Sequence, residues 1–284
     1  MIGIQEAARI WQLADIRPIA DTPGSLVYRA RHPDGRRVIA KLLKPHGMGE
    51  IAGMDYLAWR NGRGAVTLLE REGNACLLQD GGTRNLEDVR QADGEAAATR
   101  IFAAMLQQLH APSLSSVPGG LVPLDRHFAA LLHDRIPVPA AHAADVAWAA
   151  DIARTLLAEQ SDVMPLHGDL HHENILSDES GQWRAIDPHG LIGDPAYDAA
   201  NFFGNPIGRP DITCDESRIR LLASLLAPAL ACSEGKALRY AAAHAALSAC
   251  WSIGDPVSDD DLADAGHRLA FLAVVRAMLD RNSS

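Results

Sequence analysis

At 284 residues the chain can hold one large domain or two lobes around a sizeable core. Its 48% hydrophobic content is that of an ordinary globular protein, with no run near the roughly 20 apolar residues that span a bilayer. The net charge of −10 argues against nucleic acid, whose phosphates require a basic footprint, and suits a cationic small molecule.

Residues 1–13 have helical spacing, with Ala7, Ile10 and Trp11 on one face. They carry acids and lack a basic run ahead of an apolar one, so a secretory signal is not expected and a cytoplasmic protein is. Three strands follow, over 16–20, 25–31 and 37–43, divided by the turn sequences DTPG and HPDG. The spacing then predicts a helix over 49–61 and strands over 65–71 and 75–79, joined at Glu72-Gly73-Asn74. Cys76, Cys214, Cys232 and Cys250 are too few and too far apart for a disulfide framework.

After the glycine-rich step Asp80-Gly81-Gly82-Thr83 the composition turns to alanine and leucine. Helices are predicted over 95–109, 124–133, 143–159, 217–231, 236–251 and 259–281, the last capped by Ser258. Between the third and fourth lies HGDLHHENILSDESGQWRAIDPHGLIGDPAYD, residues 167–198, which reads as a hairpin carrying oxygen ligands. Asn174 and Asp187 offer the hard oxygens that magnesium takes beside phosphate and water. Asp169, on the loop ahead of them, is placed to orient a substrate hydroxyl and accept its proton. A zinc hydrolase built on His167, Asp169, His171 and His172 is the competing reading; it leaves Asn174 and Asp187 without roles.

HGDLHHEN followed by IDPHG resembles the catalytic loop and metal motif of aminoglycoside phosphotransferases and their small-molecule kinase relatives, and IDPHGLIGDPAYD is most similar to the aminoglycoside 6-phosphotransferase and hydroxyurea kinase branch. The resemblance implies an α+β, protein-kinase-like fold. Its nucleotide-binding lobe would span 1–80, a linker 81–83 and a helical lobe 84–284. It implies ATP and magnesium as cofactors, Asp169 as the catalytic residue, and Asn174 and Asp187 as metal ligands. Lys41, ending VIAK, would hold the phosphates, with Glu50 pairing it and Asp55 as the alternate. The amides of Gly24 and Ser25 would cover the phosphates, and the backbone over Leu78, Gln79 and Asp80 would meet the adenine. His167 would brace the loop and Asp198 support it.

The acceptor in that branch is streptomycin, a related aminoglycoside or hydroxyurea. A cationic acceptor is expected to meet Glu173 and Asp194, with Asp215, Glu216, Glu234 and Asp255 as further acids. His189 stands where the branch often carries lysine. A metabolite kinase and a regulatory pseudokinase are the rival readings, and the four intact residues Lys41, Asp169, Asn174 and Asp187 weigh against the second. No partner on nucleic acid or at a membrane is expected, and the sequence does not speak to oligomeric state.

Overall fold

The computed structural model describes residues 1–113, 115–134, 136–254 and 259–282. The cap expected at Ser258 and the acid Asp255 lie outside them. Helix α1 (Ile4–Ile10) leads into strands β1 (Ala14–Asp21), β2 (Ser25–Arg31) and β3 (Arg37–Leu43), then helix α2 (Ile51–Arg60) and strands β4 (Leu68–Glu72) and β5 (Ala75–Gln79). The five strands form one antiparallel sheet in the order β1-β2-β3-β5-β4.

Period-two alternation gives this sheet two functions. Val38, Ala40 and Leu42 of β3 and Ala75 and Leu77 of β5 pack with Ala7 and Trp11 of α1 in a small core. Ile39 and Lys41, on the opposite face of β3, line a cavity shared with the hairpin beyond.

The strand expected over 65–71 starts only at Leu68, because the preceding backbone is diverted. Val66 N–H donates to the Ala185 carbonyl at 3.0 Å, and Ala185 N–H to the Gly64 carbonyl at 2.9 Å. Helix α2 is likewise shorter than the predicted 49–61. A 3₁₀ turn over Pro45–Glu50 precedes it, and Asn61 ends it in the left-handed region at φ 48°.

The second part is mainly helical. Strand β6 (Arg84–Asn85) runs into helix α3 (Leu86–Asp93) and α4 (Glu95–Leu109). Helix α3 was not foreseen, although its signal is local: Asn85 and Asp88 form a reciprocal capping box. Strand β7 (Val122–Pro123) is followed by α5 (Leu124–His127) and α6 (Ala129–Leu132), two short helices where one was expected, broken at Phe128, whose ψ is 5°. Helix α7 (Ala143–Ala158) and strand β8 (Met164–Leu166) deliver the chain to the hairpin of β9 (Ile175–Ser177) and β10 (Trp183–Ala185). Strand β11 (Leu191–Gly193), α8 (Ala200–Phe203), α9 (Pro210–Thr213), α10 (Glu216–Ala229), α11 (Glu234–Gly254) and α12 (Asp259–Asn282) complete the order.

Two three-stranded sheets, β10-β9-β6 and β7-β11-β8, flank the loop from 167 to 174. Behind them α11 is buried along most of its length by alanines that admit close approach of neighbouring helices. No single described helix is long and apolar enough to cross a bilayer.

Candidate active site

The cavity between the first sheet and the hairpin is built from opposite faces. Ile19, Val27 and Ile39 come from the sheet, Leu176 and Ile186 from the hairpin side, and the backbone from Leu78 through Gln79, Asp80, Gly81 and Gly82 closes one edge. Its volume is about 90 Å³, and its apolar walls with a polar backbone edge fit a planar heterocycle. Gly82, at φ 103°, lies so near the Ser177 carbonyl that a Cβ there would collide with it. Asp80 bonds Gly82 N–H at 3.0 Å and Arg29 Nε at 2.9 Å, fixing that edge.

Lys41 and Asp187 line the other end. The buried Lys41 Nζ lies 2.6 Å from Glu50 Oε2 and 2.9 Å from Asp187 Oδ1. Burial disfavours its charge, but the two carboxylates outweigh that and raise its pKa above the ordinary lysine value. Glu50 stands at the N-terminal boundary of α2, as the 3₁₀ turn leaves it. Asp55, the alternate partner, pairs with Arg71 at 3.1 Å instead.

The Asp187 loop is set against α2 backbone to backbone. Gly190, at φ 72°, has no room for a Cβ beside the Ala52 carbonyl, and Gly53 has none beside that of Pro188. The spacing of Glu50 and Asp187 around Lys41 is therefore fixed by the main chain as well as by charge.

Asp169 is half-buried. Its Oδ1 accepts from Asn201 Nδ2 at 2.8 Å and its Oδ2 from Asn174 Nδ2 at 3.1 Å. Asn174 Nδ2 also donates to the Asp169 carbonyl at 2.9 Å. With its nitrogen so engaged, the Asn174 oxygen is the atom available as a metal ligand. Asn174 Oδ1 and the half-exposed Asp187 carboxylate are hard oxygen donors and fit magnesium.

Burial pushes the Asp169 pKa up, yet the imidazoles of His189, His171 and His167 more than compensate and hold it below the usual aspartate value. His171 Nε2 and His189 Nε2 lie 3.9 and 4.0 Å from Asp169 Oδ2.

Below this layer sits the brace. His167 is fully buried and its Nε2 meets the Ile186 carbonyl at 2.8 Å. The buried Asp198 accepts from Gly168 N–H at 2.7 Å, His167 N–H at 3.2 Å and His110 Nε2 at 2.9 Å. The zinc-hydrolase set does not converge: His167 is spent on backbone, and His172 stacks on Phe202 with ring centroids 4.2 Å apart. Among the described residues no group of three histidine, cysteine, aspartate or glutamate side chains is arranged to hold a metal ion.

Two expectations need correction, those for Ser25 and Asp194. Ser25 N–H is not free to meet phosphate, because it donates to Thr22 Oγ1 at 3.0 Å and the residue is buried. Gly24 does line the cleft in front of Glu50, and its carbonyl accepts from Lys44 N–H at 2.8 Å. Asp194 does not face a substrate. It is buried, accepts from Ala196 N–H at 3.0 Å and pairs with Lys236 Nζ at 2.6 Å, because the Pro195–Ala199 turn needs a cap there. Glu173 is exposed on the 3₁₀ turn His172–Asn174. Asp215 caps α10, Glu216 pairs with Arg281 at 2.6 Å, and Glu234 is exposed at the start of α11.

Sequence reasoning missed Asn201 and Arg268. Arg268 Nη1 donates to Asn201 Oδ1 at 3.1 Å, as does Asn205 Nδ2 at 2.8 Å. Two donors on its oxygen leave the Asn201 nitrogen pointing at Asp169. Asn201 opens the NFFGN segment that begins in α8, and nothing there pairs it with Arg268, 67 positions away. Asn201→Ala is expected to lower kcat by up to about 10²-fold, since a loosened base is a misplaced one, while KM for ATP stays near wild type. Steady-state kinetics check this; an unchanged kcat would reduce the contact to packing.

Comparison with known proteins gives the family of the chain and its fold. The family described as aminoglycoside/hydroxyurea antibiotic resistance kinase matches residues 10–255. Streptomycin 3''-kinase of Klebsiella pneumoniae is 34% identical over 95% of this chain and 99% of its own. Streptomycin 6-kinase of Streptomyces griseus is 31% identical over 86% of this chain and 80% of its own. Hydroxyurea phosphotransferase of Kitasatospora aureofaciens is 34% identical over 69% of this chain and 58% of its own. Among solved structures, aminoglycoside phosphotransferase APH(4)-Ia superposes with a TM-score of 0.68 at 16% identity, over 96% of this chain and 97% of its own. Choline kinase LicA from Streptococcus pneumoniae gives 0.68 at 15%, over 95% and 96%. The fold is thus α+β and protein-kinase-like, and the chain belongs to the aminoglycoside/hydroxyurea antibiotic resistance kinase family of phosphotransferases.

Proposed function

We propose that this chain transfers the γ-phosphoryl group of ATP to a hydroxyl of an aminoglycoside, streptomycin being the acceptor to test first. The observation that carries the reading is the pair Lys41 and Asp187 at one end of a cavity fit for a planar base, with Asp169 and Asn174 bonded to each other on the loop ahead of the hairpin, in a chain 34% identical to a streptomycin kinase over nearly its whole length.

Asn174 and Asp187 would hold magnesium, and Lys41, steadied by Glu50, would bind the phosphates. Magnesium–ATP, when bound, supplies the phosphoryl group and neutralises charge on its oxygens. Asp169 orients the acceptor hydroxyl and takes its proton at a carboxylate oxygen. Asn201 and Asn174 fix that carboxylate from two sides. Phosphoryl transfer needs little more from a protein than such positioning and charge placement.

The test is ADP release measured with streptomycin, other aminoglycosides, hydroxyurea and choline, followed by NMR location of the phosphate on the product. Turnover with streptomycin is expected. Turnover confined to hydroxyurea or to choline overturns the aminoglycoside reading, and no ADP release with any acceptor overturns the reading as a whole.

A further inference from the structure

Next to Asp169 lies a second cleft, distinct from the base-shaped cavity. It measures about 380 Å³ and is lined by Gly24, His46, Glu50, His127, His189 and Leu191, among others. The carboxylate among its lining residues, Glu50, is engaged by Lys41. Two of its lining residues, His127 and His189, stand against an aromatic ring from a distant helix. Trp251, in the last turn of α11, is 37% exposed, and its ring centroid is 5.1 Å from that of His127 and 6.4 Å from that of His189. The indole packs on one side against His127 and His244 and leaves the rest of its face open to a ligand.

Its neighbours are pre-set. His127 Nε2 and the Tyr197 hydroxyl are 2.7 Å apart, and that hydroxyl is 2.9 Å from His244 Nδ1. The buried hydroxyl donates to one imidazole and accepts from the other, so the chain fixes the His127 ring and leaves its Nδ1 for a ligand. Burial, with His189 adding to it, lowers the His127 pKa to about 3, so the ring is neutral near pH 7 and does not repel a cation. His189 bridges this wall to the reacting group, 4.0 Å from Asp169.

We propose that Trp251, His127 and His189 form the acceptor platform, on which a sugar or cyclitol ring of the acceptor stacks against the indole while the imidazoles bond its hydroxyls. The inference rests on the reading of the chain as an aminoglycoside kinase and deepens it: the acceptor ring is held by aromatic faces and imidazole nitrogens, not by a cluster of carboxylates. Guanidinium or ammonium groups on the acceptor add cation–π attraction to the same indole. Stacking at this point directs one ring hydroxyl toward Asp169. These three are specificity-determining residues.

The experiment is steady-state kinetics of wild type, Trp251→Leu and Trp251→Phe with streptomycin and ATP varied separately. Trp251→Leu is expected to raise KM for the acceptor by more than about fivefold, the scale of one lost aromatic contact. KM for ATP should move less than about twofold, and Trp251→Phe should restore most of the loss. Because Trp251 also packs on His127 and His244, streptomycin-induced quenching of tryptophan fluorescence gives a second readout: present in wild type, reduced in Trp251→Phe. A smaller rise in acceptor KM for a folded Trp251→Leu, or quenching unchanged in Trp251→Phe, overturns the platform while leaving the aminoglycoside reading intact. Wild-type protein that neither binds nor phosphorylates any aminoglycoside overturns both.

Discussion

Asp187→Ala is expected to abolish the magnesium dependence of ATP binding and to lower kcat/KM by on the order of 10³-fold, the several kcal/mol that a metal ion contributes at a reacting phosphate. The reasoning is structural. Asp187 holds a left-handed conformation at φ 54° directly after β10, and its loop rests on the backbone of α2 through Gly190. Its carboxylate is therefore displayed to the cavity at a fixed place, half-exposed, with Lys41 on one side. Lys41 keeps Glu50 at 2.6 Å when Asp187 is removed, so the buried ammonium retains a partner and the fold should persist. Calorimetric titration of ATP with and without magnesium is the measurement. If the variant binds magnesium–ATP as tightly as wild type, Asp187 is not the metal ligand.

Asp169→Ala should remove phosphoryl transfer while sparing nucleotide binding, a loss in kcat of about 10² to 10⁴-fold for a positioned proton acceptor. Asp169→Asn is no gentler. Asn201 Nδ2 and Asn174 Nδ2 each donate to one carboxylate oxygen, and an amide would set its own N–H₂ against one of them. The pH profile carries the sign of the Asp169 shift. Burial raises its pKa and the surrounding imidazoles lower it further than burial raises it, so the carboxylate is ionised above the usual aspartate range. Activity is lost only as pH falls through that lowered value, which puts the acid limb due to Asp169 below the ordinary aspartate range. Wild-type turnover in Asp169→Ala, or an acid limb near neutrality that disappears with it, would sink the assignment.

Much of the fold was legible because its signals are local. The turns DTPG and HPDG divided the first strands where the structure divides them, and alanine-rich helical periodicity marked the long helices of the second part. Boundaries shifted where tertiary contacts intervene. The backbone before β4 is taken by Ala185, and α5 and α6 separate at Phe128. Helix α3 went unread although its capping box was visible in Asn85 and Asp88.

The candidate site divides the same way. Asp169, Asn174 and Asp187 declare themselves by spacing within 20 residues, since one loop and one hairpin place all three. Asp194 and Ser25 looked available only because a sequence does not show that a buried cap or a side-chain acceptor has already engaged them. Asn201 and Arg268 were invisible for the converse reason: their pairing joins residues 67 positions apart, through buried groups whose identity alone says nothing of direction.

By itself, then, the sequence brought Asp169, Asn174 and Asp187 together within one loop and hairpin and carried the resemblance that implies phosphoryl transfer, because that chemistry uses particular donor atoms at short chain separations. Tertiary structure alone decided what surrounds them. It set Glu50 rather than Asp55 beside Lys41, turned Asn201 toward Asp169, and gathered His127, His189 and Trp251 from three distant segments into one wall. Such convergence depends on how helices pack, and helix packing is fixed by the shape and volume of whole cores.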